Sequence, residues 1–299
     1  MNHAKASDCF SLSRREFMAW SAVAATAFVA RGAEAPAYRI RQDWHMHTHR
    51  AGAKPDMIIK DMIAANESHG LDLMGISEHI DRVDQRAEFA EICKANRAEA
   101  EAVETRMSVM VGTESTMINP TTCAVSDEIA AQLDYVLVSC NHYHLDHVEN
   151  PNPGTPEAYA AHYLDMLMGA AALGYADTIG HPFLHGKLSK VLGPEGLQAV
   201  LKAYNEERLI EVLKTAAAAN MAFEINPNHA DGALEWFRDL VQEARLHGTK
   251  FTLGTDAHDI ASLGYPGRPN RPCAQILQDL TITDDDLKWA PKKGLPARG

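Results

Sequence analysis

From residue 38 onward the chain alternates short apolar runs with longer amphipathic ones, and no group of strand-like runs stands alone. Strand-like runs occupy 38–48, 71–79, 107–115, 134–142, 176–182, 221–227 and 250–258. Helical periodicity occupies 55–70, 87–105, 157–173, 205–220 and 233–247, with Gly70 and Gly248 as C-terminal cap signals. Such alternation builds a parallel sheet covered by helices, because a parallel connection must cross back over the sheet. Within the 262 residues from 38 to 299 a closed α/β barrel is more economical than an open sheet. GYPGRPNRP reads as a loop after His258, and QILQDLTITDDDLKWA as short closing helices. No repeat or linker divides residues 38–299, which are expected to form a single domain.

The strand-like runs end on a restricted chemistry. His45 and His47 close the first, Glu78 and His79 the second, and Glu114 the third. His142, His181, Asn226, and Asp256 with His258 close the others. Residues two apart on a strand share a face, so His45 pairs with His47 and Asp256 with His258. In barrels the C-terminal strand ends converge on one cavity. Each residue alone has an ordinary reading, such as a hydrogen-bonded side chain or a turn cap. Together, imidazoles and carboxylates crowded into one cavity need cations to offset their burial, and they suit zinc, manganese or iron. Among the 15 histidines, His144, His185 and His229 lie near strand ends as outer supports. His3, His69, His147, His162 and His247 are expected at the surface.

The ordered set DWHMHT, GISEH, GTE, CNHYH, GHPF and GTDAH resembles the PHP (polymerase and histidinol phosphatase) family over about residues 38–265. The resemblance implies a distorted seven-stranded (β/α)7, TIM-like barrel holding two or three divalent ions (Mn, Zn or Fe) and hydrolysing phosphate esters. By position, His45, His47, Glu114 and Asp256 would hold one metal, and Glu114 would bridge to a second on His142 and His181. His79 and His258 would hold a third. The family places a further His or Asp shortly after the first motif, where this chain has HRAGAKPD and His49 is the candidate.

Metal-activated water would attack a phosphoester, a phosphomonoester first, with Asp256, His258 and Glu114 as the catalytic set and His258 able to protonate the leaving oxygen. Arg82, Arg268 and Arg271 lie just beyond ligand motifs as candidate phosphate contacts. Glu78 either orients a ligand or faces solvent. An amidohydrolase would use the same opening motif but a bridging lysine, and no lysine falls at an expected strand end. A non-catalytic, secreted metal-binding protein would saturate its metals instead of leaving room for water.

The first residues read as an address. SRREFM precedes an apolar run over 17–30 and a small-residue A-x-A site ending at Ala37. That run is short of the roughly 20 residues that span a bilayer. Residues 1–37 are therefore expected to be a twin-arginine signal peptide. Its partner is the twin-arginine export machinery, and the mature chain would be periplasmic without stable membrane insertion. With 28 Lys plus Arg against 40 Asp plus Glu, the net charge of −12 disfavours nucleic-acid binding. A small phosphorylated substrate would need the metals as its positive centre. Four cysteines beyond the leader, with no C-x-x-C pair, can be bridged or buried and free.

Overall fold

The computed structural model describes residues 39–183, 188–267 and 271–295. The leader over 1–37, His185 and Arg268 lie outside the described residues.

The apolar runs pair as parallel strands: β1 (Gln42–Met46), β2 (Leu73–Ile80), β3 (Ser108–Asn119), β5 (Val136–Ser139), β6 (Thr178–Ile179), β7 (Ala222–Ile225) and β8 (Phe251–Leu253). They are hydrogen-bonded in that order. Just beyond β8 the chain rejoins β1: Asp256 N–H donates to the His45 carbonyl (2.8 Å) and His47 N–H to that of Ala257 (3.0 Å). The result is a nearly closed (β/α)7 barrel. One short strand, β4 (Thr122–Cys123), folds back antiparallel on β3 and was not anticipated.

Helices cover the outside. Ile59–Ser68, Arg86–Glu101, Pro156–Ala172, Glu206–Ala218 and Leu234–Leu246 answer the five expected ones. Local chemistry starts two of them: Thr155 Oγ1 accepts from Ala158 N (3.3 Å) and Asn205 Oδ1 from Arg208 N (2.9 Å). Pro194–Ala203, begun by a proline at its first position, is additional. The main core lies between strands and helices.

A second apolar cluster of Trp44, Leu73, Met110, Tyr135, Leu137, Ala222 and Trp289 is separate from it. Leu73 precedes His79, Met110 precedes Glu114, and Ala222 precedes Glu224 by an even number of residues, so on each strand both point to the barrel interior. The interior is therefore apolar at its N-terminal end and polar above. Tyr135 spans that floor, donating to the Trp44 carbonyl (2.8 Å). A Cβ at Gly112 would lie 2.4 Å from its ring, so only glycine fits there. In β1 the register passes from Asp43↔Met74 to Met46↔Ile76, one extra residue against β2. This bulge lets Trp44 join the floor while His45 still faces the polar interior.

The expected strands overshoot. His142 lies three residues past the end of β5, and Asp256 three past β8. Cys93, Cys123, Cys140 and Cys273 are buried and unbridged. No described helix is long and apolar enough to cross a membrane.

Candidate metal centre

Three groups of side chains at the C-terminal rim could each hold a metal ion, with ligand atoms within 4.8 Å of one another. The first is His45, His47, Glu114 and Asp256, the second Glu114, His142 and His181, and the third His47, His79 and His258. Glu114 is thus shared by two groups, and His47 by two. The β2–β3 register sets His79 opposite Glu114. Glu114 Oε2 lies 3.2 Å from His45 Nε2 and 3.0 Å from His79 Nδ1. Its Oε1 lies 3.2 Å from His142 Nε2 and 2.8 Å from His181 Nε2. Asp256 Oδ1 is 3.2 Å from His47 Nε2 and 3.5 Å from His45 Nε2.

Outer contacts decide which ring nitrogen faces inward. His45 Nδ1 lies 2.8 Å from Glu224 Oε2, so it carries the proton and leaves Nε2 as the ligand atom. Thr116 Oγ1 donates to Asp81 (2.6 Å) and must therefore accept from His142 Nδ1 (2.7 Å), which again frees Nε2. His258 Nδ1 donates to the Asp256 carbonyl (2.9 Å). Ser139 Oγ donates to Glu114 Oε1 (2.6 Å).

The donor set fits divalent cations. His45 Nε2, His79 Nδ1 and Glu114 Oε2 are buried without a hydrogen-bond partner. They sit close enough to pair but out of line for hydrogen bonds, as expected of lone pairs aimed at a common point. In the bare chain, protons stand in for the cations. Burial opposes charge on His45, yet Glu224, Glu114 and Asp256 outweigh it and raise its pKa well above the usual value. Burial would also raise Glu114, but His79 and His45 hold it well below the carboxylate range. Asp256 is likewise held low against its burial by His45 and the His47 hydrogen bond. His47, pressed by burial and by His79, is pushed down to about 3. Beneath them burial lifts Asp43 to about 7, although it accepts from His45 N (3.1 Å) and Thr255 Oγ1 (2.7 Å).

Several expectations need correcting. Asp256 and His258 do not share a strand face: β8 has ended, Asp256 has φ 56°, and the two fall in different ligand groups. His49 belongs to none of the groups; it is exposed, with Nδ1 3.1 Å from the Met57 carbonyl. Glu78 neither faces solvent nor touches a ligand ring. It is fully buried and accepts from Thr48 N, Thr48 Oγ1 and Asn96 Nδ2. Arg271 is clamped by Asp231 and Asp279, each at 2.5 Å, which satisfies its charge within the protein. Arg82, by contrast, stays available: it is half exposed, in a surface pair with Asp84 (3.1 Å).

His147 and His162 are not free surface groups, since they contact the Asp81 carbonyl (2.8 Å) and Tyr143 Oη (2.9 Å). His144 lies beside His142, with ring centres 5.6 Å apart, whereas His229 is exposed. Asn226 is structural, donating to the Thr255 carbonyl (2.9 Å). Sequence reading missed Glu224, Asp81, Thr116, Ser139 and Asp43. Glu224 had a signal: in a strand whose Phe223 and Ile225 face the helices, an acid between them must point into the barrel.

The fold has solved counterparts. Histidinol phosphate phosphatase of Lactococcus lactis, determined with zinc, L-histidinol and phosphate, superposes with TM-score 0.52 at 17% identity, covering 86% of this chain and 98% of its own. A Listeria monocytogenes protein assigned, without demonstrated activity, as a histidinol phosphatase gives TM-score 0.55 at 13% identity, covering 76% and 98%. No curated protein sequence matches. The family model described as the PHP domain matches residues 43–228, more than half of the chain and every ligand position up to His181. This chain belongs to the PHP domain family.

Proposed function

We propose that this protein is a metal-dependent phosphoesterase hydrolysing small phosphate esters, phosphomonoesters first. The observation that carries the reading is one buried carboxylate, Glu114, shared between two ligand groups, a geometry suited to holding two cations side by side. Membership of the PHP family supports it. So does the Lactococcus neighbour with its zinc and phosphate, as a protein of the same fold. Divalent ions, when bound, supply an acidified water and a clamp on phosphoryl oxygens.

The chain's own residues do the rest. Glu114 and Asp256 stay ionised and hold the ligand rings in place. His258 is 41% exposed at the rim and faces His79 at 3.4 Å between the two Nε2 atoms. Lys54 N–H fixes the His258 carbonyl at 2.9 Å. Where its Nε2 carries a proton, His258 delivers that proton to the leaving oxygen. Arg82, half exposed beside Asp84, is the cation this reading offers to the phosphate. An amidohydrolase would put a lysine where Glu114 stands. The number of ions is two or three, because the third group borrows His47 from the first.

The test is hydrolysis of p-nitrophenyl phosphate and its bis-ester by the manganese-loaded protein beside Asp256→Asn. Turnover lost in the variant supports the reading; no turnover of either ester by the metal-replete protein overturns it. We also propose export to the periplasm through the twin-arginine pathway, on the strength of SRREFM and the apolar run after it. A scavenged ester suits that location better than a biosynthetic intermediate. Replacing Arg14 and Arg15 by lysine should hold the protein in the cytoplasm, and undiminished export would refute the address.

A further inference from the structure

Glu224 belongs to none of the three ligand groups, yet it is fully buried between two of them. Its Oε2 lies 2.8 Å from His45 Nδ1 and accepts from His181 N–H, also at 2.8 Å. His45 is a member of the group with His47 and Asp256, and His181 of the group with His142; Glu114 is common to both. One carboxylate oxygen therefore sets a ring in one group and a backbone in the other.

The backbone contact falls where help is needed. His181 has φ 32°, a left-handed conformation that a side chain with a Cβ holds only when its surroundings impose it. Glu224 grips the nitrogen of that residue, and Asn141 Nδ2 donates to its carbonyl (3.1 Å). The space for the carboxylate is reserved as well. A Cβ at Gly254 would lie 2.2 Å from Glu224 Oε1 and 2.7 Å from His45 Cβ, so any larger residue there would push both aside.

We infer that Glu224 is a positioning residue that aligns His45 and His181 together, so that both ligand groups sharing Glu114 depend on a carboxylate outside either. This rests on the metal-centre reading above, and the experiment separates the two.

Zinc affinity and bound zinc are measured for the whole protein by competition with a chromogenic chelator and by elemental analysis. Glu224→Met keeps the volume but removes the acceptor, and should weaken zinc binding at the buried sites by roughly 10–100-fold, the usual effect of losing such a contact. Glu224→Gln keeps an acceptor oxygen where Oε2 lies and should restore binding to within a few-fold of wild type.

Wild-type affinity in the Met variant overturns the inference. So does a Met variant that melts earlier yet binds zinc unchanged, which is a stability role alone. A Gln variant as weak as Met overturns it too, because charge and not placement would then matter. Should the Met variant not fold, the zinc-loaded wild type decides. Long-range ¹H–¹⁵N spectra must show His45 protonated at Nδ1, and coordination through Nδ1 refutes the contact. A wild type that binds no zinc removes the metal-centre reading itself.

Discussion

Replacing Glu78 by alanine tests how the rim of the barrel is held. Its carboxylate is fully buried and takes three donors: Thr48 N–H, Thr48 Oγ1 and Asn96 Nδ2. Thr48 follows directly on His47, so this contact fixes the turn that carries the first motif out of β1. Each donor stranded in a buried site costs on the order of 1–3 kcal/mol.

Two effects reduce the sum. Water can enter a cavity near the rim, and alanine removes a carboxyl whose pKa burial has raised in the fold. An acid raised in this way adds stability below its unfolded pKa and loses it as pH rises through the folded pKa, so its carboxyl contributes less at neutral than at acid pH. Taking the lower figure for each donor leaves about 2–3 kcal/mol. At about 2–4 °C per kcal/mol for a domain approaching this size, the thermal midpoint should fall by roughly 5–10 °C. Glu78→Gln keeps an oxygen for the Thr48 donors, so it should melt within about 2 °C of wild type. Circular-dichroism melting of the metal-free proteins measures both. An alanine variant that melts with wild type, or a glutamine variant that falls as far as alanine, refutes the reasoning.

Glu114→Gln should lose more bound metal than His142→Ala, since Glu114 serves two ligand groups and His142 one; elemental analysis after dialysis decides, and equal losses would contradict the sharing. His49→Ala should leave metal content unchanged, because its ring faces the Met57 carbonyl, and loss of an equivalent would restore it as a ligand. Asp43, lifted to about 7 from 3.8, stabilises the fold most below pH 4 and less as pH rises through 7, so Asp43→Asn should flatten the decline in melting temperature of the metal-free protein between pH 5 and 8. An unchanged decline would show that Asp43 ionises normally. Arg271→Ala should lower stability by about 1 kcal/mol while leaving KM within a factor of about two, and a large rise in KM would return it to phosphate binding.

The barrel was legible because its signals are local. β-branched and apolar runs at regular intervals, with capped amphipathic stretches between them, specify parallel strands and crossover helices whatever else the chain does. The errors sit where local pattern and global geometry part. The run 250–258 reads as continuous strand, but a ladder needs a neighbour: β8 pairs with β7 only as far as Leu253, and the next residues bend to reach β1. The β1 bulge is invisible for a related reason. Alternation assigns Trp44 and His45 to opposite faces, and an inserted residue lets both serve the interior.

The same division separates the legible half of the site from the rest. His45, His47, His79, Glu114, His142, His181, Asp256 and His258 could be named from sequence because each is an uncommon side chain at a strand end, and parallel topology gathers strand ends without regard to their separation in the chain. The residues that hold them carry no such mark. Glu224 is 179 positions from His45, and Asp81 reaches His142 both through the hydroxyl of Thr116 and directly, 3.6 Å from its Nδ1. A threonine in a strand reads as a strand former, and an acid among apolar residues reads as an edge. Their roles arise only when closure of the sheet turns the interior face inward and leaves each polar atom there in need of a partner. In this barrel, then, the inward-facing charged residues His45, His79, Glu114 and Glu224 are each a candidate ligand or the support of one, and their parity is itself readable from the neighbours. Applied to β7, where Phe223 and Ile225 face the helices and Ala222 the floor, that parity selects Glu224 from the sequence without any knowledge of His45.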